Sequence, residues 1–387
     1  MGSLRSSFPS NAPSDGIGGL RQTPDAASSA PTCYHREEAS LKLRRAIKVK
    51  SQLRLRGSRL VPEGLSLLES ESIAMASEND YVGRERKFRE WCAVNQLPLH
   101  WDKPAEVVVR LLEYMDHCYM DLADPPESGT RLVAAVGHLH PLYYRQARGG
   151  LLTRVGKALR GWFRLLPSST LAPWPWMALC GICNHMFRAG QQRMAVLTLL
   201  CADTYMRPGA FHDLTRENLI PPQPAMGKAF NFWSVLAHIL EEGQQPNKVG
   251  VYSQSIILNS EDRQFLNLHV FKIHKSLMRG EKLCNFTMAT WTNYWNRARS
   301  SLGLPAAPLY MMRHIGPSHD ILHNVRTKVE AQERGGWAAA SSMRRYEKAA
   351  TTLAVLNKLP KRVQSHLRLC EKHIAAILRQ DTPALRV

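Results

Sequence analysis

Residues 311–348 read MMRHIGPSHDILHNVRTKVEAQERGGWAAASSMRRYEK. Three features stand out in order: an Arg313-His314 pair, a Gly336-Trp337 pair, and Tyr346 in a basic setting. Trp337 precedes Tyr346 by 9 residues and Arg313 precedes it by 33. Taken singly, the Trp reads as a core residue and the Tyr as a surface one. Their joint order and spacing make that pair of readings improbable.

Working outward, a helix is expected over 318–334, inside this stretch, and another over 358–378. In the second, Val363, Leu367, Cys370 or His373, and Ile374 or Leu378 share an apolar face. That face docks either on its own domain or on a neighbouring subunit. Upstream, helices are expected near 175–188, 191–205, 261–277 and 287–302. Alternating apolar residues over 229–240 and 250–258, with Gly and Pro between, read as a small hairpin. Residues 166–174, LPSSTLAPW, are punctuated by Pro and read as a linker. Before them, helices near 104–122, 127–146 and 150–165 follow a segment where Tyr81, Phe88 and Trp91 fall at roughly helical spacing. The expected organisation is therefore a basic, disordered region over 1–74, an all-helical domain over 75–165, and a mainly α domain with a small hairpin over 175–387.

The first 35 residues are rich in Ser, Ala, Pro and Gly, which disfavours a packed core. Residues 42–59, KLRRAIKVKSQLRLRGSR, contain no acid. They suit a nuclear localisation signal, a nucleic-acid arm or a solvated tail. An organelle transit peptide is weakly supported, because Asp15 and Asp25 interrupt it. The chain carries 51 Lys and Arg against 32 Asp and Glu, a net charge of +19. Residues 1–74 hold 11 basic and 7 acidic side chains, so the remainder keeps +15. A polyanionic partner follows, since neutralising phosphates releases condensed counterions; a ribosome or an anionic membrane surface would satisfy the same balance. The 8 cysteines are scattered, which favours a reducing compartment, and thus an intracellular or nuclear location. Cys180-x-x-Cys183 lacks a second pair and reads as buried thiols rather than zinc ligands. His138 and His140 lie two apart on a helix and do not face each other. There is no apolar run long enough to span a membrane.

Cutting a nucleic-acid strand without water or metal requires a nucleophile, cations to hold the phosphate oxygens, and an acid for the leaving 5′ oxygen. Arg suits the second task because its planar fork grips phosphate and never deprotonates. The 311–348 stretch resembles the tyrosine recombinase (phage integrase-like) family. So does Thr204–Leu219, TYMRPGAFHDLTRENL, where an apolar helix ends in Arg207.

The resemblance implies an all-helical core-binding domain followed by an α+β catalytic domain. It implies DNA breakage and rejoining through a 3′-phosphotyrosyl link, with no cofactor and no metal. Tyr346 takes the nucleophile's place, and Arg207 and Arg313 those of the phosphate-holding arginines. Tyr310 and Trp337 stand where the family places further hydrogen-bonding or packing groups. The family's catalytic Lys sits in a hairpin turn, which points to Lys248, with Lys228 as competitor. Double-stranded DNA is the implied partner, bound by a homo-oligomer. Two departures bear on activity: Tyr310 holds the place of a His, and Ala210 that of an acid, for which Asp213 is a substitute nearby. They favour the alternative of a decayed or domesticated mobile-element protein that only binds DNA. A type IB topoisomerase shares the Arg, Lys and Tyr chemistry and is the third reading.

Overall fold

The computed structural model describes residues 72–73, 75–144, 150–167, 172–237, 253–347 and 349–386. The basic run 42–59 and the hairpin turn holding Lys248 lie outside the described residues. The described chain is mainly α-helical with one three-stranded antiparallel sheet.

Helix α1 runs Met75–Val94 and buries Phe88 and Cys92. Helix α2, Pro104–Met120, opens with Pro at its first position, where the missing N–H is one of the unsatisfied donors anyway. Its Val107, Leu111, Met115 and Cys118 recur every three or four residues and so line one buried side. Helix α3, Pro126–Leu139, starts with Pro as well. It stops short of the expected 146, because His140 takes an extended backbone and Pro141 opens a 3₁₀ turn. Helix α4 is Thr153–Leu165. Together they enclose an aromatic-rich core that includes Phe88, Leu111, Tyr143 and Trp162. Gly129 lets α3 and α4 approach, since a Cβ there would come 2.8 Å from the Trp162 ring. His140 stacks on Trp101 with centroids 3.4 Å apart and faces Glu85, a packing role.

A second apolar core draws on residues between Trp174 and Leu378. Helices α5 (Trp176–Arg188) and α6 (Gln192–Asp203) are nearly all buried. The end of the expected linker belongs to this core: Trp174 stacks on Trp295 at 5.5 Å. Trp291 and Trp295, on α9 (Met288–Ser301), are fully buried and still satisfied, donating to Thr198 Oγ1 and the Ala307 carbonyl. Cys180 and Cys183 are buried on α5, and burial pushes both thiols well up, as for inert core cysteines.

A short helix α7 (Pro208–His212) leads to the sheet, β1 (Leu219–Ile220), β2 (Ser234–Ala237) and β3 (Gln254–Ile257), in that order. Val235 pairs with Leu219 on one side and Ile256 on the other, and all three are buried. Helix α8 is Phe265–Ser276.

The helix expected over 318–334 is two helices, α10 (Met312–Leu322) and α11 (Lys328–Gly335). Asn324 takes a left-handed backbone, φ 55°, which ends the first. Thr327 and Glu330 form a capping box that starts the second. Helix α12 (Ala349–Asn357) precedes α13 (Lys361–Arg379). The α13 face of Leu367, Cys370, Ile374 and Leu378 is buried, and the helix packs on α5 of its own chain. Gly181 makes room for it, as a Cβ there would come 2.4 Å from Leu367.

Among the described residues no helix is long and apolar enough to cross a membrane.

Candidate active site

Arg313 sits in the first turn of α10 and is 3% exposed. Its Nη1 donates to the Tyr205 carbonyl and its Nη2 to the Gly335 carbonyl at 2.8 Å. These two acceptors fix the guanidinium plane. Nε is buried without a hydrogen-bond partner, so N–H groups remain for a further acceptor. Burial, then the positive charge of Arg207, pushes Arg313 below the ordinary guanidinium range. Two like charges held together call for an anion.

Arg207 is the N-cap of α7, in extended backbone just before Pro208. Asp213, the substitute acid considered above, bonds Lys282 at 2.8 Å and is 72% exposed. It therefore balances Lys282 rather than filling the place left by Ala210. Lys228 lies exposed in a 3₁₀ turn ahead of β2.

Trp337 is placed by the end of α11. Gly336 adopts φ 60°, the left-handed cap geometry that glycine takes without a Cβ penalty. Its N–H and that of Trp337 return to the carbonyls of Glu333 and Gln332. Gly335 must also lack a side chain, since a Cβ would come within 1.9 Å of the indole. Gln254 on β3 donates to the Arg334 carbonyl at 2.7 Å and holds the same turn. The indole thus lies over Arg313, whose Cζ is 4.6 Å from the ring centroid.

Tyr346 follows a 3₁₀ turn over Ala340–Arg345. Its ring lies 5.1 Å from Trp337 and 5.6 Å from His314, in a small cluster with Tyr205, Ala331 and Met343. It is 1% exposed. Tyr310 is 39% exposed, and its ring meets His314 edge-on at 5.2 Å. The structure brings Tyr310, Arg313, His314, Trp337 and Tyr346 together and sets Arg207 within electrostatic range. Lys248 is outside the described residues.

Sequence reasoning missed the layer behind this group. Arg263 is 2% exposed and bridges Asp203 at 3.0 Å and Asp320 at 2.6 Å. Burial works against its charge, but Asp203, Asp320 and Asp262 together hold it above the ordinary range. Arg334 bonds both the carbonyl and the carboxylate of Asp203. The Tyr205 hydroxyl donates to Asp320. Among the described residues no cluster of His, Cys, Asp and Glu could hold a metal ion.

Compared with solved structures, the chain is similar to the XerH site-specific recombinase bound to palindromic difH substrate in a post-cleavage complex. Identity is 14% over 65% of this chain and 70% of that one, with a TM-score of 0.45. It is also similar to a lambda integrase dimer bound to a COC′ core site, at 14% identity, 72% and 73% coverage and a TM-score of 0.43. XerA recombinase is similar at 11% identity, 76% and 95% coverage and a TM-score of 0.32. No family model and no curated protein matches the chain. Likenesses this distant leave function to be argued from the site itself.

Proposed function

We propose that the chain cleaves and rejoins DNA strands through Tyr346. The observation that supports this best is the meeting of Arg313, Trp337, His314 and Tyr346 within one charge-bearing cluster, from segments up to 33 residues apart. The phenol oxygen of Tyr346 attacks phosphorus, the bond from phosphorus to the 5′ oxygen breaks, and a 3′-phosphotyrosyl link remains. Arg207 and Arg313 hold the non-bridging oxygens as charge builds, the kind of preorganised donor that supplies a large share of catalysis. Lys248 gives the departing 5′ oxygen its proton. The phenol proton needs an acceptor, and half-buried His314 presents an imidazole beside the Tyr346 ring. The covalent link conserves the phosphodiester energy, so no ATP is needed. Duplex DNA is the partner, consistent with the +15 charge of residues 75–387.

Side chains as buried as Tyr346, 1% exposed, and Arg313, 3% exposed, do not reach a phosphate where they stand. Cleavage on this reading requires the 340–347 segment to shift when DNA binds. The burial of Tyr346 and the Tyr at 310 favour the second reading, a protein that binds DNA without cutting it.

A nicked suicide duplex separates the two readings. An active protein becomes trapped on the DNA and survives denaturing electrophoresis as a covalent adduct. Tyr346→Phe should abolish the adduct with DNA affinity nearly intact. Arg313→Ala should abolish it and weaken binding as well. Absence of any adduct with the wild-type protein would leave the binding-only reading, and an adduct with Tyr346→Phe would assign the nucleophile elsewhere.

A further inference from the structure

Tyr205 has a backbone that a large side chain rarely adopts, φ 56°. A left-handed backbone at a residue without glycine's freedom is strained and persists only where its surroundings compel it. Here both ends of the residue are engaged by one helix. Its carbonyl accepts from Arg313 in the first turn of α10, and its hydroxyl donates to Asp320 near the end of that helix. Between them Gly316 makes the contact possible. A Cβ at 316 would come 2.0 Å from the Ala202 carbonyl and 2.8 Å from the Tyr205 ring. The ring is fully buried, with the Arg334 guanidinium 5.4 Å from its centroid and Trp337 at 6.2 Å. Asp320 is itself fixed by Arg263 and Arg326.

We infer that Tyr205 is a positioning residue for Arg313: a brace laid along α10 whose far end is clamped by the buried Asp320–Arg263 pair and whose near end, the carbonyl, sets the guanidinium. The left-handed backbone is what lets carbonyl and ring serve the two ends at once. The ordering of the phosphate-holding Arg then depends on a hydroxyl far along the helix, outside the cluster of candidate catalytic groups. Its consequence for catalysis rests on the strand-cleavage reading; the brace itself does not.

Tyr205→Phe keeps the ring and removes only the hydroxyl. Asp320→Glu keeps the network's charge but moves the acceptor, and serves if the first variant folds poorly. Arginine-selective ¹⁵N labelling, with the Arg313 signals assigned by Arg313→Lys, reads the guanidinium without DNA. Its resonances should shift or broaden in both variants, and unchanged resonances would overturn the brace. On a nicked duplex, adduct formation should slow on the order of 10–100-fold, as for a displaced catalytic group, with DNA affinity unchanged. A methylphosphonate at the scissile position removes the charged oxygen that Arg313 would hold. On that substrate Tyr205→Phe and wild type should react at similar rates. Equal slowing on both substrates would mean a general structural defect and overturn the inference. Failure of the wild-type protein to form an adduct would sink the cleavage reading alone, since the labelled Arg313 still reports on the brace.

Discussion

The region from Met75 to Leu165 and the region from Trp174 onward handle charge in opposite ways. In the first, the core is apolar and aromatic and most ion pairs sit on its rim. Arg84 with Asp80 and Arg86 with Glu90 are one-turn pairs on α1 with partly or largely exposed side chains. In the second, Asp203, Asp320, Arg263 and Arg313 are each at most 3% exposed. Burying ions is a poor way to gain stability, because desolvation offsets their attraction. What it provides is geometry: a guanidinium held by two carbonyls has one orientation, and a carboxylate shared by Arg263 and Tyr205 has one place. The contrast suggests that the first region is built to be stable and the second to hold its arginines still.

The sharpest way to break this comparison is Arg263→Ala. It takes from Asp203 and Asp320 the guanidinium they share, leaving them Arg334 and Arg326, and should cost up to about 3–5 kcal/mol in chemical denaturation. An Arg263→Met variant with Asp320→Asn removes one buried charge of each sign, and Asp203 keeps Arg334. It should recover part of that loss while leaving Arg313 poorly ordered. A cost below about 1 kcal/mol for Arg263→Ala would mean that water or a rearranged partner already compensates the carboxylates. Next in size is Leu111→Ala, in the aromatic core, expected to cost about 2–5 kcal/mol through lost burial and the cavity left behind. That variant should leave DNA chemistry untouched in whatever fraction stays folded. A loss of adduct beyond the loss of folded protein would tie the helical region to the chemistry.

Much of the candidate site was readable in one stretch of sequence. Arg313, Trp337 and Tyr346 are near enough in the chain for their spacing to signal a joint purpose, and Gly335-Gly336 marks the turn that presents the indole. The layer behind them was not readable. Asp320 and Arg263 are 57 residues apart and Arg334 and Asp203 are 131 apart. Each taken alone looks like a surface charge. Nor did any pattern signal that Tyr205 would take a left-handed backbone or that Tyr346 would be buried. The division between α10 and α11 had a usable signal, Thr327 with Glu330 three residues on, which the single helix expected over 318–334 passes over. Strand β1 is only two residues long, too short to alternate. Cys180 and Cys183, read from the sequence as buried thiols, are buried.

The smallest expected effect tests the other side of the comparison. Asp80 is held below the usual carboxylate range chiefly by the hydrogen bond that Arg84 donates at 2.9 Å. Because its folded value is depressed, the pair's contribution is present above the ordinary Asp range and is lost as pH falls through the lower folded value. Both side chains are part exposed, so screening keeps the contribution at about 0.3–0.5 kcal/mol. Asp262, beside the buried arginine network, is shifted further although its side chain is 41% exposed. Burial raises it, but the hydrogen bond with His319 and the charge of Arg263 outweigh that and bring it to about 2. Its contribution should therefore persist to lower pH than that of Asp80. Comparing Asp80→Asn and Asp262→Asn with wild type by denaturation at pH 7, 4 and 2.5 resolves the two. Asp80→Asn should differ slightly from wild type at pH 7 and the difference should shrink by pH 2.5. Asp262→Asn should differ more at pH 7 and keep a larger share of that difference at pH 4. If Asp80→Asn proved the more damaging at neutral pH, charge on the rim of the helical region would matter more than charge beside the buried network, and the contrast between the regions would fail.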